Sequence, residues 1–247
     1  MAHRDEIASY ADELLEVANW PEFAPQGLQV VGGAEVTRLA CGVSSSRELF
    51  ERAVADGAEM VIVHHGLFWR NEPLVVDRRL RGRLEALFAG DASLLAYHLA
   101  LDAHPELGNN AQLAERIGAT PQGPFASVGL GCAVDDPCTV DELARRVRDA
   151  VGRDALVFSD GPPEIRRVAV ATGAAGFELI RAAHEGYDAL VTGEPEEPSR
   201  ASARELGIHL IAAGHHATEG FGVRALASHL AGRYDLEWGY VEIENPV

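Results

Sequence analysis

The sequence contains no lysine, so all 21 of its basic residues are arginine, against 38 acidic residues and a formal net charge of −17. Because proteins bind nucleic acid largely through positive charge, this balance disfavours nonspecific nucleic-acid binding. One local exception is the arginine cluster of Arg78, Arg79, Arg81 and Arg83. The cluster is either an anion-binding patch or a solvated helix face, and the helix face is the simpler interpretation.

Cysteine is also scarce, with three scattered residues and no CxxC spacing: Cys41, Cys132 and Cys138. This pattern indicates neither a disulfide framework nor a thiolate zinc site, and it favours a reducing compartment. No stretch approaches the roughly 18 apolar residues that a membrane span needs, and the N-terminal segment lacks the apolar core of a signal peptide. We therefore expect a soluble, cytoplasmic protein without a membrane partner.

What is present is enough apolar sequence for a full core, since 47% of the 247 residues are hydrophobic. Segments typical of strands and helices alternate throughout, which predicts an α/β protein with mostly parallel or mixed sheets. The turn-forming residues 119–124 predict a boundary between domains 1–124 and 125–247, with a C-terminal segment able to pack back on the first half. A strand is expected at 128–134, and the capping-box spacing from Thr139 to Glu142 opens a helix that runs to Gly152.

Segments of the first half of the chain resemble segments of the second half. At an offset of 129, residues 38–66 match residues 167–195, and each copy is typical of a strand, a helix and a second strand. At an offset of 113, residues 95–117 match residues 208–230, which sets Asp102 opposite His215. Chance similarity between two generic units is the alternative, but the continuous register favours two similar α/β domains produced by internal duplication, with a site between them.

Six of the ten histidines fall in three short clusters that follow apolar, strand-like runs: 64–65, 98–104 and 215–216. The ends of such strands are where α/β sheets place their ligand crevices. Imidazole together with carboxylate suits divalent first-row metals. These clusters therefore predict a metal site.

Each cluster also has a structural interpretation. Adjacent strand residues point to opposite faces, so His64 and His65 reach one metal only if the strand has ended; otherwise they bind different metals or are hydrogen-bonded structural residues. His215 and Glu219 share a helix face if a turn begins at Gly214, whereas Glu219 is alternatively an ordinary first-turn acid. Asp102 is either a ligand or a helix N-cap.

The segments HHGLFW, AYHLALDAH and GHHATE, with GLQV near the start and TGE in the second half, resemble the toroidal dinuclear metal-centre family. Its YbgI-like bacterial members are commonly labelled GTP cyclohydrolase 1 type 2 homologues. The resemblance spans nearly the whole chain, in matching order, and it implies two similar α/β domains with the metal site between them. It also implies a ring-shaped homohexamer and two divalent ions per chain, with Glu219 touching both, held by His64, His65, Asp102, His215 and Glu219.

A dinuclear centre predicts a metal-dependent hydrolase acting on a nucleotide-like or phosphorylated small molecule, with His98, His104 or Glu194 as catalytic proton carriers. The family label would require attack on the purine ring carbon between the imidazole nitrogens, followed by ring opening. Backbone amides of 173–176 could present themselves to an anion. The alternative is a metal-binding, metal-delivery or regulatory protein without turnover. Iron, zinc, manganese, cobalt and nickel all fit the ligand set.

Overall fold

The computed structural model describes residues 1–247, which form two compact units. Unit 1 consists of Met1–His104 and Gly222–Glu244, and unit 2 consists of Pro105–Phe221 and Asn245–Val247. The sequence-based halves 1–124 and 125–247 share most of their residues with these units and differ from them at 105–124 and 222–244.

Strands and helices alternate along most of the chain, as expected for an α/β protein. The strands are β1 (Ala2–His3), β2 (Gly27–Val30), β3 (Glu35–Val36), β4 (Arg38–Ser44), β5 (Met60–His65), β6 (Ser93–Ala96), β7 (Ala119–Phe125), β8 (Gly129–Cys138), β9 (Leu156–Ser159), β10 (Ile165–Ala171), β11 (Ala189–Thr192), β12 (His209–Ala212) and β13 (Glu237–Tyr240). The helices are α1 (Arg4–Leu14), α2 (Arg47–Ala55), α3 (Arg78–Ala89), α4 (Leu99–Asp102), α5 (Asn109–Arg116), α6 (Val140–Val151), α7 (Leu179–His184), α8 (Ser199–Leu206), α9 (His215–Thr218) and α10 (Gly220–Tyr234).

Unit 1 is built on a five-stranded sheet of order β13-β4-β5-β6-β2, in which only the β6–β2 pair is antiparallel. Its central strands are almost wholly apolar, as buried parallel strands require. Side chains of one sheet face, such as Val61 and Val63, pack against Phe50 of α2 and Leu87 of α3. The small antiparallel pair β1–β3 completes the strands of this unit.

Unit 2 is built on a six-stranded mixed sheet of order β7-β8-β10-β11-β12-β9. Successive side chains of a strand point to opposite faces, so β10 serves two cores. Val168 and Val170 pack into the core that contains Leu143 of α6, whereas Ala169 packs into the core that contains Ala203 of α8. Both faces of this sheet are therefore covered, and the predicted mixed α/β fold is confirmed.

The repeated strand–helix–strand unit is visible in the register of the sheets. In unit 1 Leu39 pairs with Met60, and in unit 2 Val168 pairs with Ala189, both in parallel. Since 168 − 39 and 189 − 60 both equal 129, the first offset seen in the sequence is reproduced in the strand pairing. The pairing supports the duplication.

The second offset is wrong for the third strand. Met60 pairs with Ser93, and its counterpart Ala189 pairs with His209, so the strand offset is 209 − 93 = 116 rather than 113. The three-residue difference arises because strand register follows hydrogen bonding, while sequence matching followed the residues beyond the strand. By the strand register, Asp102 corresponds to Thr218 and not to His215.

Residues 119–124, where the domain boundary is predicted, form part of a strand. They lie in β7, which pairs antiparallel with β8 at the edge of the six-stranded sheet. An edge position tolerates Pro121 and Pro124 because one side of the strand needs no ladder hydrogen bonds. Turn-forming composition therefore does not exclude a strand at this place.

The expected start of α6 is confirmed. The Thr139 hydroxyl accepts a hydrogen bond from the Glu142 amide at 3.3 Å, and Gly152 ends the helix in a left-handed conformation with φ of 78°. None of the helices combines the length and apolar character of a bilayer-crossing segment.

Candidate metal centre

The ligand candidates of unit 1 lie at the carboxyl ends of its parallel strands. His64 and His65 are the last residues of β5, and His98 follows β6 immediately before α4. The three rings are close together, with centroids 4.8 Å apart for His64 and His65 and 4.9 Å apart for His64 and His98. One ring nitrogen of each histidine lies within 4.8 Å of the others, so the three side chains could hold a metal ion. His64 and His65 thus lie close together, although adjacent residues of a strand normally point to opposite faces of the sheet.

His64 is oriented for metal binding by its own hydrogen bond. Its Nδ1 lies 2.9 Å from the backbone oxygen of Tyr97, and because a carbonyl only accepts, Nδ1 carries the hydrogen. In the neutral ring Nε2 then presents a lone pair, and it lies 3.4 Å from Oδ2 of Asp102. Both side chains are buried, at 0% and 7% exposure. Two acceptor atoms that face each other in a buried place are suited to hold a cation between them.

Asp102 is not an N-cap. It is the last residue of α4, and the next helix, α5, begins at Asn109 after Gly108. The third strand of the sheet ends at Ala96, so Asp102 is carried by a helical turn and not by a strand end. This geometry removes the capping alternative and leaves the carboxylate against His64.

His98 is anchored in the same way as His64. Its Nδ1 lies 2.8 Å from Oε2 of Glu22, and a carboxylate accepts this hydrogen. The side-chain oxygen Oε1 of Gln26 accepts from the backbone amides of His98 and Ala100, both at 3.1 Å, and so fixes the start of α4. Neither Glu22 nor Gln26 was identified from the sequence, because both act over more than 70 residues and carry no motif.

His65 and His104 are placed differently. His65 Nδ1 lies 2.8 Å from the Ser44 hydroxyl at the end of β4. His104, predicted as a catalytic proton carrier, is partly buried two residues beyond the end of α4. The catalytic roles of His98 and His104 stay predictions.

Unit 2 repeats the arrangement with other residues. His215 begins α9 directly after Gly214, and its Nε2 lies 3.0 Å from Oε2 of Glu219, as the i, i+4 spacing predicted. On the other side of the ring, Nδ1 lies 2.5 Å from Oε1 of Glu194. Glu194, predicted to be catalytic, is thus in position to orient His215.

The two carboxylates also set the charge of His215. Burial disfavours the imidazolium, but hydrogen bonds and charges of Glu219 and Glu194 outweigh it, so the pKa of His215 is raised above its ordinary value. A metal ion bound at Nε2 has to replace that proton. The same pair of acidic groups that favours a proton favours a divalent cation.

Glycines make room for this part of unit 2. A Cβ on Gly173, whose φ is 70°, would lie 2.2 Å from Oε1 of Glu219. A Cβ on Gly193 would lie 2.6 Å from the Cα of His215. The ends of β10 and β11 can approach the ligand residues this closely only without side chains at these two positions.

Two of the four amides of the expected anion site at 173–176 have acceptors within the protein. The Gly173 amide donates to the Thr218 hydroxyl at 3.1 Å, and the Ala175 amide donates to the Thr192 hydroxyl at 3.3 Å. Because these amides already have acceptors within the protein, the turn does not offer them to a ligand.

We expect replacement of Glu194 with glutamine to weaken metal binding. The substitution keeps an acceptor for the Nδ1 hydrogen of His215 but removes the charge that makes the ring a better donor to a metal. A loss of about 10- to 100-fold in zinc affinity is expected, measured by competition with a chromophoric chelator. Glu197→Gln is the matched control, since Glu197 is exposed on the same loop. Equal affinities of the two variants would contradict this role.

Comparisons with known proteins agree with the fold and the resemblance described above. A family model for Duf34/NIF3 (NGG1p interacting factor 3) matches residues 2–246. The chain is 45% identical over 246 residues to a Pseudomonas aeruginosa protein named GTP cyclohydrolase 1 type 2 homolog, covering 97% of each chain. It is 43% identical to an Escherichia coli protein of the same name, covering 98% of each.

Among solved structures, protein ybgI, described as of unknown function, superposes with a TM-score of 0.96 at 42% identity, covering 99% of this chain and 100% of that one. The predicted resemblance to YbgI-like proteins is confirmed by these similarities. The chain therefore belongs to the Duf34/NIF3 family.

Proposed function

We propose that this protein binds two divalent metal ions per chain and uses them to hydrolyse a nucleotide-like or phosphorylated small molecule. The proposed ligands are His64, His65, Asp102, His215 and Glu219. The observation that carries the proposal is that His64 and His215 are each oriented in the same way by their own partners. Each ring has its Nδ1 hydrogen donated to an oxygen acceptor, and its Nε2 lies within 3.4 Å of a carboxylate oxygen.

The donor set suits the proposed ions. Three imidazoles and two carboxylates, without thiolate, are acceptable to iron, zinc, manganese, cobalt and nickel. Five ligands would leave positions open on two ions even if Glu219 contacted both, as we propose. Unfilled positions are what a catalytic site needs for water and substrate.

Two such ions would lower the pKa of coordinated water and neutralise charge on a reacting group. The residues of the chain supply the rest. Glu194 and the Tyr97 carbonyl hold His215 and His64 in one orientation, and His98, paired with Glu22, is a candidate to carry a proton. The names of the relatives make GTP the first substrate to examine.

The test compares metal-loaded and chelator-treated protein incubated with GTP and a panel of other nucleotides, with products separated by chromatography. We expect product only from the metal-loaded protein and none from an Asp102→Ala variant. Asp154→Asn, which changes an exposed carboxylate outside the proposed ligand set, should retain full turnover. A fully loaded protein that forms no product from any nucleotide, yet passes its metal to an acceptor protein, would contradict hydrolysis and support metal delivery.

The proposed assembly is a ring-shaped homohexamer. Light scattering coupled to size-exclusion chromatography measures it directly: a mass near six times the 26.5 kDa chain supports the ring, and a monomer contradicts it.

A further inference from the structure

Unit 1 contains a hollow of about 370 Å³ whose walls are mostly apolar. We call it the aromatic hollow; its lining includes Phe23, Phe68, Trp69, Val75, Val76 and Leu80. Three consecutive apolar side chains at the edge of this hollow are exposed to solvent: Leu74 at 91%, Val75 at 62% and Val76 at 64%. Contiguous exposed apolar residues of this kind are a feature of ligand-binding grooves and interaction surfaces.

One cation in this lining has no counter-ion. Arg83 is partly buried in the wall of the aromatic hollow, and it forms no ion pair and no side-chain hydrogen bond. Burial, and after it the charge of Arg79, lowers the pKa of Arg83, although the charge of Asp77 partly opposes this shift. Arg79, by contrast, is paired with Glu72. A guanidinium partly withdrawn from water, with no carboxylate in direct contact with it, favours an anionic ligand.

A second hollow adjoins the first. We call it the arginine hollow; it shares Arg79 and Arg83 with the aromatic hollow and adds Arg47, Arg78 and Arg81. Its lining contains only two acidic residues, Asp77 and Glu85. Five arginines in one place are a strong local departure from a chain with a net charge of −17. Arg47, Arg79 and Arg81 are exposed and ion-paired, as a solvated helix face predicts, which leaves Arg83 as the partly buried cation of this cluster.

We propose that the two adjoining hollows form one binding site for a small molecule that combines a flat aromatic ring with an anionic group such as a phosphate. The ring would lie in the aromatic hollow, and the anionic group would meet Arg83 and the arginine hollow. Charge complementarity selects this occupant over an uncharged one. Aromatic walls supply the apolar contact area.

Trp69 connects this site to the candidate ligands of unit 1. Its ring lies edge-on to His98 at 5.0 Å and to His65 at 5.7 Å between centroids, while it also lines the aromatic hollow. A ring bound there would be next to the side chains that we propose to hold or serve the metal ions. Its use as a substrate site rests on the proposed function, whereas the binding itself does not.

The test uses two fluorescent probes that differ by one sulfonate: 8-anilinonaphthalene-1-sulfonate and uncharged N-phenyl-1-naphthylamine. Affinities are measured with chelator-treated protein, so that neither metal nor turnover affects the result. We expect Arg83→Gln to weaken binding of the sulfonate at least about tenfold and to change binding of the uncharged probe less than about twofold. Arg148→Gln, at an exposed arginine of α6, should change neither.

The opposite outcomes are equally clear. Equal affinity of Arg83→Gln and Arg148→Gln for the sulfonate, with unchanged far-UV circular dichroism, would overturn the proposed site. So would a Val75→Asp variant that alters the mass of the particle in solution but not probe binding, because the apolar face would then be a contact between copies. Retained binding without nucleotide turnover would count against the proposed function alone.

Discussion

Replacing Asp102 with asparagine is expected to remove most of the divalent metal from the purified protein. The substitution preserves shape but exchanges a buried anionic oxygen, 3.4 Å from Nε2 of His64, for a neutral amide. Because a carboxylate contributes both charge and a lone pair to a metal ion, we expect affinity to fall by at least about 100-fold, more than for a group that only orients a ligand. Elemental analysis after dialysis measures the loss.

The unfolding temperature of the variant distinguishes loss of metal binding from misfolding. In the metal-free protein, asparagine can donate its amide hydrogen to His64 Nε2, and it removes an ionisable group from a buried position. The variant should therefore unfold in chelator at the same temperature as the unchanged protein, or at a higher one. Asp154→Asn is the control for metal content. Undiminished metal in the Asp102 variant would exclude Asp102 as a ligand.

Replacing Gly193 with alanine is expected to have the largest effect on stability. The new Cβ would lie 2.6 Å from the backbone oxygen of Gly173 and 2.6 Å from the Cα of His215. Both contacts are with backbone, which cannot turn aside as a side chain can, so the ends of β10 and β11 must shift. We expect a loss of about 2–3 kcal/mol in the free energy of unfolding, measured by urea denaturation.

The same shift should move His215 relative to Glu194 and weaken zinc binding. Gly123→Ala is the matched control, because a Cβ at that strand position meets no atom within 4 Å. It should change the free energy of unfolding by less than about 0.5 kcal/mol. Similar unfolding curves for the two alanine variants would show that the close approach at Gly193 is not needed.

Local patterns explain what could be predicted. The repeated strand–helix–strand unit was found because each of its parts has a strong hydrophobic pattern and the two strands pair across a short connection. The register of Leu39 with Met60 and of Val168 with Ala189 supports that interpretation. The i, i+4 spacing of His215 and Glu219 was equally local and was confirmed.

Long-range contacts explain what could not be predicted. Glu22 reaches His98 across 76 residues, and no motif marks it. Residues 119–124 have the composition of a loop, but they pair with β8 and form the edge strand of the sheet. Asp102 follows an apolar run whose pattern predicts one strand. The Gln26 side chain accepts hydrogen bonds from the amides at the start of α4, and the run is therefore divided into a strand and a helix.

The Nδ1 anchors of His64, His98 and His215 have a thermodynamic consequence. A mobile imidazole loses rotational freedom when it binds a cation, and this loss of entropy makes the binding free energy less favourable. Here the loss has already occurred during folding, so the rings are preorganised. Repeated cycles of chelation and reloading should therefore leave the circular dichroism of the chain almost unaltered.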